Sequence, residues 1–269
     1  MTVRRFLFWL AVSLMVLVFI FPVLWIYVTA MKPPADIFSR NPFVFTPTFE
    51  NFAYLVNVRP SFGELFNSLV VSIVSTAVVM AVSLPAAYSF ARFNTGNGHI
   101  LFITISTRMF PGVVAAIPFF ILFRNLGLLD THLGLTLLYV YFNMSFATFL
   151  LYGFFREIPP SLEKAAMVDG YDRLSVLRII VFPLMKPGIA VTTMFCLIWS
   201  WNEFLFAFLF TRRIARTISV GQSTFWGSVE IQWGPMAALM CIAVLPTLLA
   251  AWIMQKHVIR GLTFGAVKG

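Results

Sequence analysis

The sequence predicts an all-α membrane protein with six transmembrane helices, and three observations carry that prediction. Of its 269 residues, 60% are hydrophobic and 11% charged, against about a quarter charged in an average soluble protein. The charges punctuate apolar runs long enough to cross a hydrocarbon core of about 30 Å. One long polar stretch, residues 156–186, breaks the pattern. A surface this apolar is covered by lipid or by other subunits rather than by water.

The first span follows Arg4 and Arg5, and the 26 residues between Arg5 and Lys32 carry no charge. That run is too long for a signal peptide and lacks a small-residue cleavage site, so residues 1–31 are read as a retained first helix. Residues 32–64, with Pro33, Pro34, Pro42, Pro47 and Pro60, are expected to form an irregular extracytoplasmic loop. The transmembrane domain proper is expected over 65–258. Its second span lies in the 27 uncharged residues between Glu64 and Arg92, its fourth in the 25 between Asp130 and Arg156, and its sixth in the 25 between Glu230 and Lys256. A cytoplasmic tail, 259–269, is expected to follow.

The third and fifth spans carry polar groups. Residues 100–123 contain Arg108 near their middle, and residues 188–211 contain Asn202 and Glu203. An ionisable group in hydrocarbon costs a few kcal/mol, so it faces the bundle interior, a partner or a water-filled cavity. Arg108, Asn143, Trp201, Asn202 and Glu203 are therefore candidates for a translocation pathway. The competing structural reading makes Asn202 and Glu203 interhelical hydrogen-bonding partners, or makes Glu203 the counter-charge of Arg108. Pro22, Pro85, Pro111, Pro118 and Pro246 also fall in spans, where neighbouring helices or water must satisfy the carbonyls they free.

Six spans place both termini on one side. Eleven Lys and Arg residues lie on that side against seven on the other, with Arg108 left within a span. The excess of positive charge marks the cytoplasmic face, so both termini and the 156–186 loop are predicted cytoplasmic. The basic segment 211–216 is then an awkward external loop. The net charge of +9 does not indicate nucleic acid, because the basic residues anchor span ends instead of clustering on a polar face. Cys196 and Cys241 lie in apolar runs and predict neither a disulfide nor a metal site.

The 156–186 loop is patterned as two short helices. Pro159 and Pro160 stop the preceding span, Ser161 suits an N-cap, and residues 162–169 suit a helix ended by Gly170. A second helix is expected from Asp172 to Phe182, broken by Pro183 and Pro187 before the fifth span. Patterning alone also admits, as the lesser reading, a solvated amphipathic helix lying on the membrane surface.

The wording of the loop is more specific. Glu163, Lys164, Ala165, Ala166, Asp169, Gly170, Ile180, Phe182 and Pro183 resemble the cytoplasmic motif of ABC importer permeases: Glu-Ala-Ala, three residues, Gly, nine residues, Ile-x-Leu-Pro. Lys164 replaces the usual Glu and Phe182 the usual Leu. Residues 67–71, 84–92 (LPAAYSFAR), 126–131 (LGLLDT), 153–159 (GFFREIP), 201–205 (WNEFL) and 260–269 (RGLTFGAVKG) resemble the carbohydrate branch, which includes the second maltose-permease subunit.

That resemblance implies a multi-pass protein of the bacterial inner membrane. It implies a second permease subunit forming a heterodimer, two ATPase subunits, an extracytoplasmic solute-binding protein, and a sugar or sugar-derived solute. The loop would be a coupling element gripped by an ATPase. Ala165, Ala166 and Gly170 would allow close backbone approach, Glu163, Asp169 and Asp172 would pair with basic groups, and Pro183 closes the motif. No GxxxxGK[ST] loop occurs, so this chain is expected to be no enzyme and to bind no cofactor, with ATP and Mg used by the ATPase. A secondary transporter would need midplane carboxylates, and Glu203 alone qualifies. An intramembrane enzyme would need a nucleophile or metal motif, whereas His99, His132 and His257 are scattered. An ABC permease for an amino acid or peptide would share the loop but not the sugar-like segments.

Overall fold

The computed structural model describes residues 3–227 and 231–263, with side chains described as far as Gln255. Helices are its regular elements, apart from one isolated bridge between Trp226 and Ile231. They are α1 (Val3–Ala30), α2 (Glu50–Asn57), α3 (Phe62–Phe93), α4 (His99–Ser106), α5 (Gly112–Asn125), α6 (His132–Glu157), α7 (Pro160–Val168), α8 (Arg173–Val176), α9 (Phe182–Asn202), α10 (Leu205–Phe210), α11 (Ile218–Ser223) and α12 (Trp233–Thr263). The chain divides into two compact units, one of residues up to 65 with 220–246, the other of 66–219 with those from 247 onward.

Five continuous helical stretches are long and apolar enough to cross a membrane, or six where a bent pair of helices is counted as one span. That pair occupies the expected third span, and its two halves meet at 95°. The break has a local cause. Pro111 has no N–H, and the residue before a proline is driven out of the helical region; Phe110 accordingly adopts an extended ψ of 127°. The span expected over 100–123 is therefore two segments, with Arg108 beside the bend.

In the first unit, α1 is apolar on every side and exposed along almost its whole length, with Ala30 buried at its end. A helix hydrophobic all round suits lipid. The segment after it is more ordered than the irregular loop expected. Asn51 on α2 is buried and its Nδ2 donates to the carbonyls of Ala30 at 2.9 Å and Lys32 at 2.8 Å, satisfying acceptors that a helix C-terminus leaves open. Lys32 is also buried, its ammonium 5.2 Å from the Trp25 ring and 5.5 Å from that of Phe45, in cation–π geometry.

The second unit is built on close helix contacts. Along α3, Ser68, Ser72, Ser75, Thr76, Val79, Ser83 and Ala87 are buried at helical spacing, and such small residues let membrane helices approach. The Thr148 hydroxyl on α6 donates to that of Ser83 at 3.1 Å. On α9, a Cβ at Gly188 would come within 2.6 Å of the Phe154 ring of α6, so glycine permits that crossing.

Pro183 and Pro187 do not break the helix before the fifth span. A π-turn, Leu177–Val181, precedes α9, and the Phe182 N–H reaches back to the Leu177 carbonyl. Pro183 then follows directly in the first turn of α9, at the shift in hydrogen-bond register that the π-turn makes. The fifth crossing runs Arg173–Asn202 and stops at Glu203, whose ψ of 126° is extended. The expected continuation to residue 211 is instead the separate α10. At the other end, α12 continues to Thr263, so the expected tail from 259 begins as helix and its residues 264–269 lie outside the described residues.

Candidate functional site

Two features of the second unit bring together the polar groups singled out by the sequence. The first is the 156–186 loop. α7 starts at Pro160 with Pro159 as N-cap, two residues before the expected N-cap Ser161. Its C-terminus is closed by Gly170 at φ +92°: the Tyr171 N–H donates to Ala166 at 3.1 Å and the Gly170 N–H to Met167 at 3.2 Å. That is a Schellman closure, which calls for a left-handed residue. Asp172 then caps α8, accepting from the Leu174 N–H at 3.3 Å. A hydrogen bond from the Ser175 side chain outweighs desolvation and, with lesser bonds from the Leu174 and Ser175 N–H groups, holds the Asp172 carboxyl below the ordinary carboxylate value.

The two faces of α7 differ. Lys164, Ala165, Val168, Asp169 and Gly170 are exposed, as is the neighbouring Leu162. Glu163 and Ala166 are buried. The expectation that both are presented to a partner is corrected: Glu163 accepts from Arg92 Nε at 2.5 Å and from the Tyr88 hydroxyl at 2.8 Å, and Ala166 packs in a core with Met80, Ala87, Leu151, Phe155, Val176 and Met185. The reason is helical periodicity, since residues three apart share a face. The loop is thus seated on α3, α6 and α9 through its inner face, with a small, mixed surface turned outward. Pro183 is exposed and serves α9 rather than the outer face of α7.

The second feature is intramembrane. Glu203 sits in the break between α9 and α10, where Oε1 accepts the Phe206 N–H at 2.9 Å and Oε2 accepts the Ala207 N–H at 3.0 Å and the Tyr139 hydroxyl at 3.1 Å. It therefore caps α10 and is not the counter-charge of Arg108. Arg108 donates to the Phe142 carbonyl at 2.9 Å and lies 5.0 Å from the Phe146 ring and 5.9 Å from Trp199. Its side chain is exposed. Asn143 is fully buried, donating to Ser200 at 2.9 Å, while its Oδ1 has no hydrogen-bond partner among the described residues. Trp201 is buried, and exposed Asn202 bonds its own helix at the Ile198 carbonyl at 2.8 Å. Of the five candidates, Arg108 and Asn202 are thus open, whereas Asn143, Trp201 and Glu203 work within the packing.

Sequence reasoning missed Trp199 and Tyr139, whose rings meet edge-on at 5.5 Å between Arg108 and Glu203. Neither interrupts an apolar run, so hydropathy carried no signal for them. It also missed Asp130. That residue has φ +56°, and its carboxylate accepts the backbone N–H groups of Arg212, Arg213, Ile214 and Ala215 at 2.9 to 3.2 Å. Partial burial would raise its pKa, but these four donors outweigh burial and hold it below the ordinary value. Asn67 fastens the same segment, donating to the carbonyls of Ile214 at 2.8 Å and Arg216 at 2.9 Å and bonding His132 at 2.7 Å. The awkward basic segment 211–216 is held by its backbone.

Comparison with known proteins places the chain in a family. The family described as "Binding-protein-dependent transport system inner membrane component" matches residues 77–263. The sulfoquinovosyl glycerol transport system permease protein of Agrobacterium fabrum is 33% identical, over 97% of this chain and 93% of its own. The trehalose transport system permease protein of Mycobacterium tuberculosis is 32% identical over the whole of both chains. A bacterial ABC transporter involved in the import of the acidic polysaccharide alginate superposes with a TM-score of 0.79 at 20% identity, covering 95% of this chain and 96% of that one, and so shares its fold. The chain therefore belongs to the family of binding-protein-dependent transport system inner membrane components.

Proposed function

We propose that this chain forms half of the translocation pathway of an ATP-driven importer for a sugar or sugar-like solute in a bacterial inner membrane. A second permease subunit supplies the other half. An extracytoplasmic binding protein delivers the solute, and two separate ATPase subunits use ATP and Mg to drive alternating access. The termini and the 156–186 loop face the cytoplasm, following the distribution of Lys and Arg.

The observation that carries this reading is the two-faced α7. Its outer face is short, small and exposed, which suits insertion into a cleft on another protein, while its inner face is packed on three helices of the bundle. A rigid element with one face for a partner and one for the spans passes a push from the first to the second. The carbohydrate assignment is supported by the full-length likeness to permeases named for trehalose and for sulfoquinovosyl glycerol transport. In the pathway, exposed Arg108 beside Trp199 and Phe146 offers donors and aromatic planes, which match the hydroxyls and apolar faces of sugar rings.

Two experiments test the reading. Purification with the associated subunits identifies which ligand, presented on its binding protein, stimulates ATP hydrolysis; stimulation by an amino acid or peptide, and not by any carbohydrate, sinks the sugar assignment. In the same complex, Gly170→Trp is expected to leave the protein inserted but to abolish transport and ATPase stimulation. Full transport by that variant overturns the docking role of α7.

A further inference from the structure

α7 is tied by the chain to two spans. Pro159 joins it to α6, and Gly170 leads through α8 and the π-turn into α9, so a displacement of α7 reaches both through the backbone. α3 has no such connection. Its C-terminus runs instead into the turn Thr95–Gly98 and on to α4. A side-chain clamp supplies the missing link.

Tyr88 and Arg92 are one helical turn apart at the end of α3 and point at the same carboxylate. Arg92 Nε donates to Glu163 Oε1 at 2.5 Å, the Tyr88 hydroxyl donates to Oε2 at 2.8 Å, and Arg92 Nη2 donates to the Ile158 carbonyl, between α6 and α7, at 2.9 Å. The Arg92 and Glu163 side chains are 8% and 9% exposed. The ring of Tyr88 packs edge-on against Phe155 of α6 at 5.5 Å, and the Arg173 guanidinium of α8 lies 4.8 Å from the Phe93 ring. Arg92 and Tyr88 belong to the LPAAYSFAR segment and Glu163 to the loop, so two stretches singled out separately in the sequence meet here.

A buried ion pair is a poor device for stability, because desolvation offsets the attraction, but it fixes register, because its bonds are short and directional. An apolar contact of equal area would hold α7 near α3 yet let the two slide. We infer that the Tyr88–Arg92–Glu163 clamp locks α3 to α7, so that the ATPase-driven displacement of the loop moves α3 together with α6 and α9 as one body. This rests on the reading of α7 as the ATPase dock, and it assigns Arg92, Tyr88 and Glu163 as positioning residues inside the permease.

The test uses the purified complex with its ATPases, spin-labelled at Ile73→Cys on α3 and Leu174→Cys on α8, both exposed positions. The distance between labels is read without nucleotide and with ATP trapped. Tyr88→Phe, Arg92→Met and Glu163→Leu together exchange the clamp for apolar side chains and leave no charge stranded; Tyr88→Phe alone is the milder variant. With the clamp intact, the distance is expected to stay the same in both states. In the triple variant it is expected to match without nucleotide and to shift on ATP trapping, while the ATPases still co-purify and hydrolyse ATP; Tyr88→Phe gives a smaller shift. A shift with the clamp intact, or none in the triple variant, overturns the inference. So does a triple variant already altered without nucleotide, which marks a merely structural pair. An unsubstituted complex in which ATPase binding leaves α7 as accessible to cross-linkers as before overturns the docking reading and the clamp's role with it.

Discussion

The Tyr139 hydroxyl lies 3.1 Å from Oε2 of Glu203, the oxygen that also accepts the Ala207 N–H at 3.0 Å. This arrangement turns an intramembrane acid into a helix cap: the carboxylate closes the start of α10 after the chain breaks at Asn202, and its second oxygen takes Phe206. Glu203→Ala is expected to cost about 2–3 kcal/mol, because it leaves the Phe206 and Ala207 N–H groups and the Tyr139 hydroxyl without this acceptor. Tyr139→Phe is expected to cost about 1 kcal/mol. Thermal unfolding of the detergent-solubilised protein reads both; if Glu203→Ala is neutral for stability yet abolishes uptake, Glu203 is a solute contact instead.

Asp130 predicts a pH dependence with a definite sign. Its folded-state pKa is depressed, so its stabilising effect is complete above the unfolded value of about 3.9 and is lost as pH falls through the folded value. Asp130→Asn retains a side chain that tolerates positive φ but accepts fewer N–H bonds. It is expected to unfold earlier than the natural protein at neutral pH, with the two converging at the acid end of a pH series. A gap that widens on acidification contradicts the assignment.

Gly170 has open space where a Cβ would stand but a φ of +92°, so its constraint inside this chain is conformational. Gly170→Ala is expected to cost about 1–2 kcal/mol, and Gly170→Asn less, since asparagine visits the left-handed region more readily. Hydrogen exchange at Tyr171, whose N–H closes the motif, reports the effect directly. Equal exchange in all three proteins would show that the left-handed geometry is not maintained there.

A Cβ at Gly221 would collide with the Glu64 carboxylate, which also meets Arg59 at 2.9 Å. Arg59 in turn donates to the Gly221 carbonyl at 3.2 Å and to Thr224 at 2.6 Å. Gly221→Ala must therefore displace a partly buried ion pair, at a cost of about 1–3 kcal/mol. A lowered unfolding temperature checks this, and an unchanged one would mean that α11 shifts freely.

Arg108→Gln removes the exposed cation beside Trp199 and Phe146. Because its hydrogen bond reaches the Phe142 carbonyl from an exposed side chain, assembly and unfolding temperature are expected to change little. Uptake is expected to fall through a weaker apparent affinity. An unaltered concentration dependence of uptake removes Arg108 from the pathway.

Hydropathy and spacing made the spans, the polar loop, the start of its second helix near Asp172 and the closing role of Gly170 legible, because each follows from burial in lipid or from rules that act within a few residues. The prolines were legible only in part. Pro111 does break its span, whereas Pro183 is accommodated after a π-turn, an outcome set by where the helix resumes.

Chain periodicity by itself determined that this protein is a six-span, all-α membrane component carrying a two-helix loop, because apolar length and local turn chemistry are written residue by residue. Only the tertiary structure decided which polar groups are available. Glu163 turns inward because Arg92 and Tyr88, 71 and 75 residues away, face it; Glu203 is occupied as a cap; and Asp130 gathers the N–H groups of a segment 82 to 85 residues downstream. A charge in a low-dielectric interior takes whatever partner the fold brings within hydrogen-bonding distance, and that distance is set by packing between elements, not by neighbours along the chain.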